Sequence, residues 1–128
     1  MELVRNFVRR AKSFSKRKID NALERLQSGE CLNIYLASKP YCNLKYLRAA
    51  SLKRAVETAR SLEDWVRIAG CTKASYRKKA FEEVLIFDIT SEADIYLLTQ
   101  SRSERLRAVG WYLCGRRTVA MVARAMSR

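Results

Sequence analysis

Hydrophobic residues recur every three or four positions through residues 2–28. The recurring members are Leu3, Val4, Phe7, Val8, Ala11, Phe14, Ile19, Ala22, Leu23 and Leu26. Because this spacing aligns side chains along one face of an α-helix, it predicts a long amphipathic helix that ends at Gly29, a residue type common at helix ends. The opposite face is basic and contains Arg5, Arg9, Arg10, Lys12, Lys16, Arg17 and Lys18.

Three interpretations of this basic face stay open. It is either a solvated face on a helix docked to the core or an arm that binds phosphates, which requires only dense positive charge to displace counterions. The third interpretation is a membrane-surface or organellar targeting helix, since basic amphipathic segments with Phe and few acidic residues serve both purposes.

The pattern changes after Gly29. Residues 31–37 are apolar, partly β-branched or aromatic, and bounded by turn-forming residues, which predicts a short strand. From Asn43, an N-cap residue type, to Arg60 the apolar spacing is helical again and is rich in alanine.

Residues 61–81 are predicted to form two short helices about a tight turn, the unit around which we expect the chain to be organised. Ser61 and Asp64 have the spacing of a capping box that opens the first helix. Gly70 supplies a residue able to adopt positive φ at the helix end, and Thr72 is an N-cap residue type for the second helix.

This unit resembles a known family pattern. Ala69-Gly70-Cys71-Thr72, followed by Ser75-Tyr76, resembles the core motif of bacterial helix-turn-helix regulators. The resemblance implies that the second helix enters the major groove of DNA, where its first residues meet base edges. The residues in those positions are Lys73, Ala74, Arg77 and Lys78, and Lys79 adds to the basic face. The alternative is an ordinary helical hairpin whose lysines are solvated.

Two further apolar runs, residues 84–89 and 94–99, are predicted to pair as a β-hairpin. A helix-turn-helix followed by a hairpin resembles the winged-helix arrangement. Residues 84–101 contain three acidic residues and no basic residue, so we assign the hairpin to the core or to a protein interface rather than to phosphate contacts.

The C-terminal segment begins with a capping-box signature over residues 101–104 and is predicted to be helical. Gly115 is expected to break or bend the helix, and Thr118 to cap a final helix. Arg116 and Arg117 would lie in this joint, free to reach outward. The apolar C-terminal helix or the hairpin is a candidate homodimer face, with packing on the chain's own core as the alternative.

At 128 residues and 48% hydrophobic, the chain is long enough for one core, so we predict a single domain over residues 1–128. Its parts are a basic amphipathic helix (1–28), a helix-turn-helix core with hairpin (31–99) and C-terminal helices (101–128). The fold class is mainly α with a small β component, and the core is helix-turn-helix or winged-helix-like.

Charge narrows the range of partners. The chain has 26 Lys and Arg against 13 Asp and Glu, no histidine, and a net charge of +13. Such an excess favours a polyanionic partner: DNA, RNA or an anionic membrane surface.

The cysteines, at positions 31, 42, 71 and 114, lack C-x-x-C spacing and have no histidine to complete a metal site. We therefore expect no metal and no cofactor, and reduced cysteines in a cytoplasmic or nuclear compartment. Neither a secretory signal nor a transmembrane segment is expected. Without histidine, a carboxylate pair in an apolar context or a Gly-rich phosphate loop, the chain is not expected to be an enzyme.

The favoured function is a DNA-binding transcriptional regulator that reads the major groove through residues 61–81 while the N-terminal helix holds phosphates. The alternative is an RNA-binding protein, such as a viral double-stranded-RNA binder or silencing suppressor, whose cations lie across backbone phosphates regardless of sequence. The third class is a basic adaptor that docks to a membrane or an acidic protein.

Overall fold

The computed structural model describes residues 2–127, and all regular structure in that range is helical. The helices are α1 (Glu2–Arg10), a 3-10 helix (Ala11–Ser13), α2 (Lys16–Leu23), α3 (Ser28–Ser38), α4 (Lys45–Thr58), α5 (Leu62–Ile68), α6 (Ala74–Ile86), α7 (Glu92–Thr99) and α8 (Glu104–Met126). The mainly α prediction is confirmed. The predicted small β component is wrong.

The chain divides into two compact units, residues 1–64 and residues 65–128, and the boundary falls within α5. Each unit is described by itself below. The single domain stays a prediction.

In the first unit, α3 and α4 form the most extensive helix pair, α1 packs on α3 and α2 packs on α4. A buried hydrogen bond joins the central pair: Ser28 Oγ donates to the carbonyl of Ala55 at 2.8 Å. This carbonyl belongs to the last turn of α4, where the helix itself supplies no donor, so the serine satisfies a group that burial would otherwise leave unpaired.

The strand predicted for residues 31–37 is the middle of α3. Gln27 and Glu30 form a capping box, with the Gln27 N–H donating to Glu30 Oε1 at 3.3 Å, and Gly29 lies in the first turn rather than ending a helix. Cys31, Ile34 and Tyr35 are buried at helical spacing. A short apolar run fits either period, and packing on α4 selects the helix.

The long helix predicted for residues 2–28 is interrupted. Phe14 and Ser15 are extended, and Ser15 Oγ starts α2 by accepting from the Lys18 N–H at 3.2 Å. The predicted apolar side is confirmed in part: Val8 and Ile19 are buried on the two sides of the break, whereas Leu3 is 84% exposed.

The helix predicted for residues 43–60 is confirmed as α4, although Leu44 rather than Asn43 is its N-cap. Ser61 and Asp64 form the predicted capping box: Ser61 Oγ accepts from the Asp64 N–H at 3.1 Å, and Asp64 Oδ2 accepts from the Ser61 N–H at 3.3 Å.

Two helices about a turn are confirmed for residues 61–81, with α6 extending beyond the predicted end. The details of the turn differ. Gly70 does not have positive φ, and its N–H bonds to the Arg67 carbonyl at 3.2 Å. Lys73 rather than Thr72 is the N-cap of α6, and its side chain makes no capping hydrogen bond.

In the second unit, α7 and α8 form the most extensive helix pair. Gly110 lies where α8 meets the end of α7, and a Cβ there would be 2.7 Å from the Thr99 backbone nitrogen and 2.9 Å from Leu98 Cβ. This approach requires glycine for its small size.

The predicted hairpin is wrong. Residues 84–86 complete α6, and residues 94–99 belong to α7, which begins when Ser91 Oγ accepts from the Asp94 N–H at 3.2 Å. Ile95, Leu98 and Thr99 are buried at the three- and four-residue spacing of a helix. Without strands in the described range, the winged-helix expectation is also wrong.

The C-terminal helix α8 is continuous. Ser103, not Ser101, is its N-cap and accepts from the Leu106 N–H at 3.4 Å. Neither Gly115 nor Thr118 interrupts it, and the Thr118 hydroxyl donates to the Cys114 carbonyl within the helix at 3.0 Å. The predicted joint therefore does not exist.

Candidate nucleic-acid interface

Seven exposed cations follow one another on α1, the 3-10 helix and α2, and we call them the N-terminal basic surface. Its members are Arg5, Arg9, Arg10, Lys12, Lys16, Arg17 and Lys18, and every one is exposed. Val8 and Ile19 of the same segment are buried in the first unit, although Leu3 is 84% exposed, so packing of α1 and α2 leaves the cations facing solvent.

These cations are not neutralised by the chain itself. Residues 3–19 contain no acidic residue. Among the ion pairs of residues 2–127, none includes a member of the N-terminal basic surface. The positive potential of this surface is therefore available to an external anion.

Two lysines of this surface are held over aromatic rings. The Lys12 ammonium is 5.1 Å from the centre of the Tyr41 ring, and the Lys18 ammonium is 4.2 Å from that of Phe14. A cation over a ring face loses conformational freedom while its outer side stays open to water or ligand. The rings therefore orient these charges in advance.

Lys16 belongs to a similar arrangement that includes an acid. Its ammonium lies 5.1 Å from the Tyr46 ring centre, and the Tyr46 hydroxyl donates to both carboxylate oxygens of Asp20 at 2.7 and 2.8 Å. This hydrogen bond to Asp20 raises the pKa of Tyr46, because ionisation would break it. The Asp20 carboxylate is thereby held against a neutral donor.

The second unit contains a basic cleft of about 420 Å³ at the start of α6 and the N-terminal end of α8. We call it the α6–α8 cleft. Its lining contains four cations, Arg77, Lys78, Arg102 and Arg105, and one carboxylate, Glu104. The positive end of the α8 dipole adds to the potential here.

Contacts around the α6–α8 cleft limit what its cations can do. Arg77 Nη1 donates to the carbonyls of Cys71 and Thr72 at 3.1 and 2.6 Å, which fixes the turn before α6. The Arg105 guanidinium lies 4.9 Å from the Phe81 ring centre. Only part of the donor set of Arg77 thus stays available to a ligand.

Several arginines of this chain donate hydrogen bonds to backbone carbonyls. Arg48, Arg54, Arg77, Arg107 and Arg117 each donate to backbone carbonyls at helix ends or in loops. Helix C-termini leave such carbonyls without partners, and a guanidinium satisfies them. Part of the cationic excess therefore has a structural role.

The predicted site residues of the second unit do not form one cluster. Arg77 and Lys78 line the α6–α8 cleft, whereas Lys73 lies over Tyr76, its ammonium 4.4 Å from the ring centre. Lys79 is exposed on α6 outside the lining.

Arg116 and Arg117 lie within α8 rather than in a joint. Arg117 Nη1 donates to the Thr90 carbonyl at 2.8 Å, and Nη2 pairs with Glu92 at 3.5 Å, so this residue ties α8 to the start of α7 and to the loop just before it. Arg116 is exposed, with its guanidinium 6.0 Å from the Tyr112 ring centre.

Sequence reasoning missed Arg102 and Arg105 as site residues. Their signal was present, because both flank the residues that begin α8, where a helix end and cations favour anions together. Gly70 contributes to the same place: a Cβ on it would lie 3.0 Å from Arg102 Cβ.

Cys31 is a poor candidate for a catalytic nucleophile. Burial raises the pKa of the Cys31 thiol to about 11, and the Arg54 guanidinium offsets only part of this effect. Such a thiol stays protonated near neutral pH and is a weak nucleophile. In the described part of the chain, no group of metal-ligating side chains is arranged to hold an ion.

Comparison of the chain with protein-family models, with curated proteins and with solved structures found no match. Within residues 2–127, every helix is too short or too polar to span a bilayer.

Proposed function

We propose that the protein binds nucleic acid mainly through backbone phosphates, with the N-terminal basic surface as the principal contact. The observation that carries this proposal is the run of seven exposed cations without a carboxylate within ion-pair distance. Each phosphate that such cations neutralise releases condensed counterions, which supplies affinity without reading sequence.

The α6–α8 cleft supports the same proposal in the second unit. Lys78, Arg102 and Arg105 converge at a helix N-terminus, which is the environment that proteins use for phosphate oxygens. Duplex RNA and duplex DNA both present phosphates at regular spacing, and RNA is recognised largely by such contacts.

A direct test compares two triple variants of equal net charge. Arg5, Arg9 and Arg17 changed to Gln remove three cations of the N-terminal basic surface. Lys45, Lys53 and Arg60 changed to Gln remove three exposed cations of the same unit outside it. All six side chains are exposed, so neither variant should lose folding stability.

Affinities for duplex DNA and duplex RNA of mixed sequence are measured at several salt concentrations by fluorescence anisotropy. The slope of log affinity against log salt is negative, and the surface variant should reduce its magnitude by about 0.9 for each phosphate that is no longer neutralised, up to about 3 in all. The control should change the slope little. An equal decrease in both variants, or no binding of native protein to either duplex at physiological salt, would refute the proposal.

A second candidate function is DNA-sequence reading by α6, as in helix-turn-helix regulators. It is favoured by the α5–turn–α6 arrangement and by the exposed cations Lys78 and Lys79 on α6. Arg77 is a weaker candidate for base contact than the resemblance implies, because the carbonyls before α6 already occupy one end of its guanidinium.

Selection from a random pool of DNA duplexes separates the two candidates. A groove reader enriches one motif, and Lys78→Ala should relax that preference at a single position. A phosphate binder enriches none. Binding to anionic vesicles with failure of both duplexes would instead favour the basic adaptor.

A further inference from the structure

The outward face of α8 carries an uncovered row of apolar residues. We call it the α8 seam; its members are Ala108, Tyr112, Gly115, Val119, Val122 and Met126. The large ones are far from buried: Tyr112 is 63% exposed, Val119 69%, Val122 52% and Met126 82%. Trp111, beside the seam, is 60% exposed.

The seam lies on the side of α8 opposite its packed side. At about 100° per residue, the seam members fall within an arc of about 80°. Leu106 and Gly110, which are buried, and Arg117, which bonds to the Thr90 carbonyl, lie roughly half a turn away. The seam therefore does not pack into the core of the second unit.

The spacing of the seam is that of a coiled coil. Successive members are separated by four, three, four, three and four residues, an average near the 3.5-residue repeat that keeps one stripe against a partner helix. In heptad terms Tyr112, Val119 and Met126 occupy one core position, and the three smaller residues the other.

Gly115 makes no close packing contact within the described chain. A Cβ on Gly110 would strike α7, whereas a Cβ on Gly115 would meet nothing within 4 Å. A glycine in the middle of a helix costs about 0.5–1 kcal/mol relative to alanine. Nothing inside the described chain offsets that cost, and a second helix packed on the seam would.

Charge decides between a second helix and a lipid surface. Between residues 108 and 126 the charged residues are Arg116, Arg117 and Arg124, and the latter two lie on the side away from the seam. Helices that lie on anionic membranes carry Lys and Arg along both borders of the apolar face. Here Arg116, together with Arg105 one turn before Ala108, borders it along one side only.

The exposed area is also of the right size for self-association. With Trp111 included, the large exposed side chains sum to on the order of 600 Å² per chain, so two copies would bury at most about 1,200 Å², the lower end of specific interfaces. Residues 118–127 are exposed throughout. Because isolated helical segments of this length are marginal in water, burying the seam would stabilise the end of α8.

We propose that the α8 seam is a homodimer interface, in which α8 of one chain packs along α8 of a second copy. The packed side of each α8 faces away from the contact, so pairing the seams requires no rearrangement of the second unit. The proposal is independent of nucleic-acid binding, because it concerns the chain without ligand.

The test is the mass of the full chain by sedimentation equilibrium, at physiological and at higher salt, without nucleic acid. We expect twice the 14.8 kDa chain mass. Higher salt should strengthen the dimer, because it screens repulsion between two strongly cationic chains, whereas it weakens binding to phosphates or anionic lipids.

Two matched variants locate the interface. Val122→Glu puts a charge in the seam and should weaken the dimer about 100-fold, because both charges would be buried without partners. Ala120→Glu adds the same charge at an exposed position outside the seam and should leave the dimer nearly unchanged. Circular dichroism checks that both variants keep native helicity.

A native chain that is monomeric at about 100 µM in both salt conditions would overturn the proposal, since specific homodimers usually form well below that concentration. So would a dimer that both variants weaken equally. If the chain stays monomeric and Val122→Glu abolishes binding to vesicles of phosphatidylcholine and phosphatidylserine, the occupant is a membrane and the proposal is wrong.

Discussion

The two glycines of α8 make opposite predictions for the same substitution. Both are helical, so replacing either by alanine should gain about 0.5–1 kcal/mol from helix propensity alone. They differ in what the new methyl group would meet. At Gly115 there is open space, and at Gly110 there is the backbone of α7.

The magnitude at Gly110 follows from the contact distances. The new Cβ would lie 2.7 Å from the Thr99 nitrogen and 3.0 Å from the Leu98 carbonyl carbon, whereas ordinary contact begins at 3.4 Å. Backbone atoms cannot rotate away as a side-chain end can. Helix α8 would therefore have to move by about 0.7 Å in a tightly packed interior, and overpacking of this kind costs about 1–3 kcal/mol.

The expected result is a change of sign. Gly115→Ala should raise the free energy of unfolding by up to about 1 kcal/mol, and Gly110→Ala should lower it by about 1–2 kcal/mol. Urea unfolding followed by circular dichroism measures both. The measurements belong in the Val122→Glu background at low protein concentration, so that self-association does not contribute.

A Gly110→Ala variant as stable as Gly115→Ala would refute the reasoning. It would mean that α7 and α8 do not approach closely enough for a methyl group to separate them. A decrease at both positions would instead show that α8 near residue 115 is itself covered.

Three further predictions concern the first unit. Ser28→Ala should lower the free energy of unfolding by about 1–2 kcal/mol in urea, because the buried Ala55 carbonyl loses its donor, while Ser13→Ala at an exposed site should cost little. In native protein a maleimide reagent should modify Cys42, which is exposed, and leave Cys31 unmodified until the chain unfolds; equal labelling rates would contradict the burial of Cys31. The pKa of Cys31 is about 11 in the folded chain against an ordinary 9.0. Between these two pH values the thiol is therefore deprotonated in the unfolded chain but still protonated in the folded chain. Stability should therefore be intact below pH 9.0 and fall by up to about 3 kcal/mol as pH rises towards about 11, and urea titrations of Cys31→Ala should show a shallower decline.

Much of the helical content could be predicted because it is encoded locally. The capping box of Ser61 and Asp64 involves residues three apart, and the burial of Val8 and Ile19 follows from the spacing of apolar residues near them. The cationic excess likewise needs only counting. These features depend on neighbours in sequence, which are read directly.

The errors fall where two local structures compete. Residues 31–37, 84–89 and 94–99 are short apolar runs rich in residues that favour strands, and the structure makes helices of residues 31–37, 84–86 and 94–99. A run of this length satisfies either period, and the choice is made by the surface that covers it, α4 in one case and α8 for residues 94–99.

The sequence could not predict which of the basic side chains are available to bind a ligand, because that also depends on long-range contacts. Arg54 binds a carbonyl 30 residues away, and Arg117 one 27 residues away, which removes part of their capacity to meet a ligand. By itself the sequence determined that the chain is mostly helical and carries a basic amphipathic N-terminus. Only the tertiary structure decided which cations stay exposed and which hold carbonyls, because that depends on contacts between residues distant along the chain.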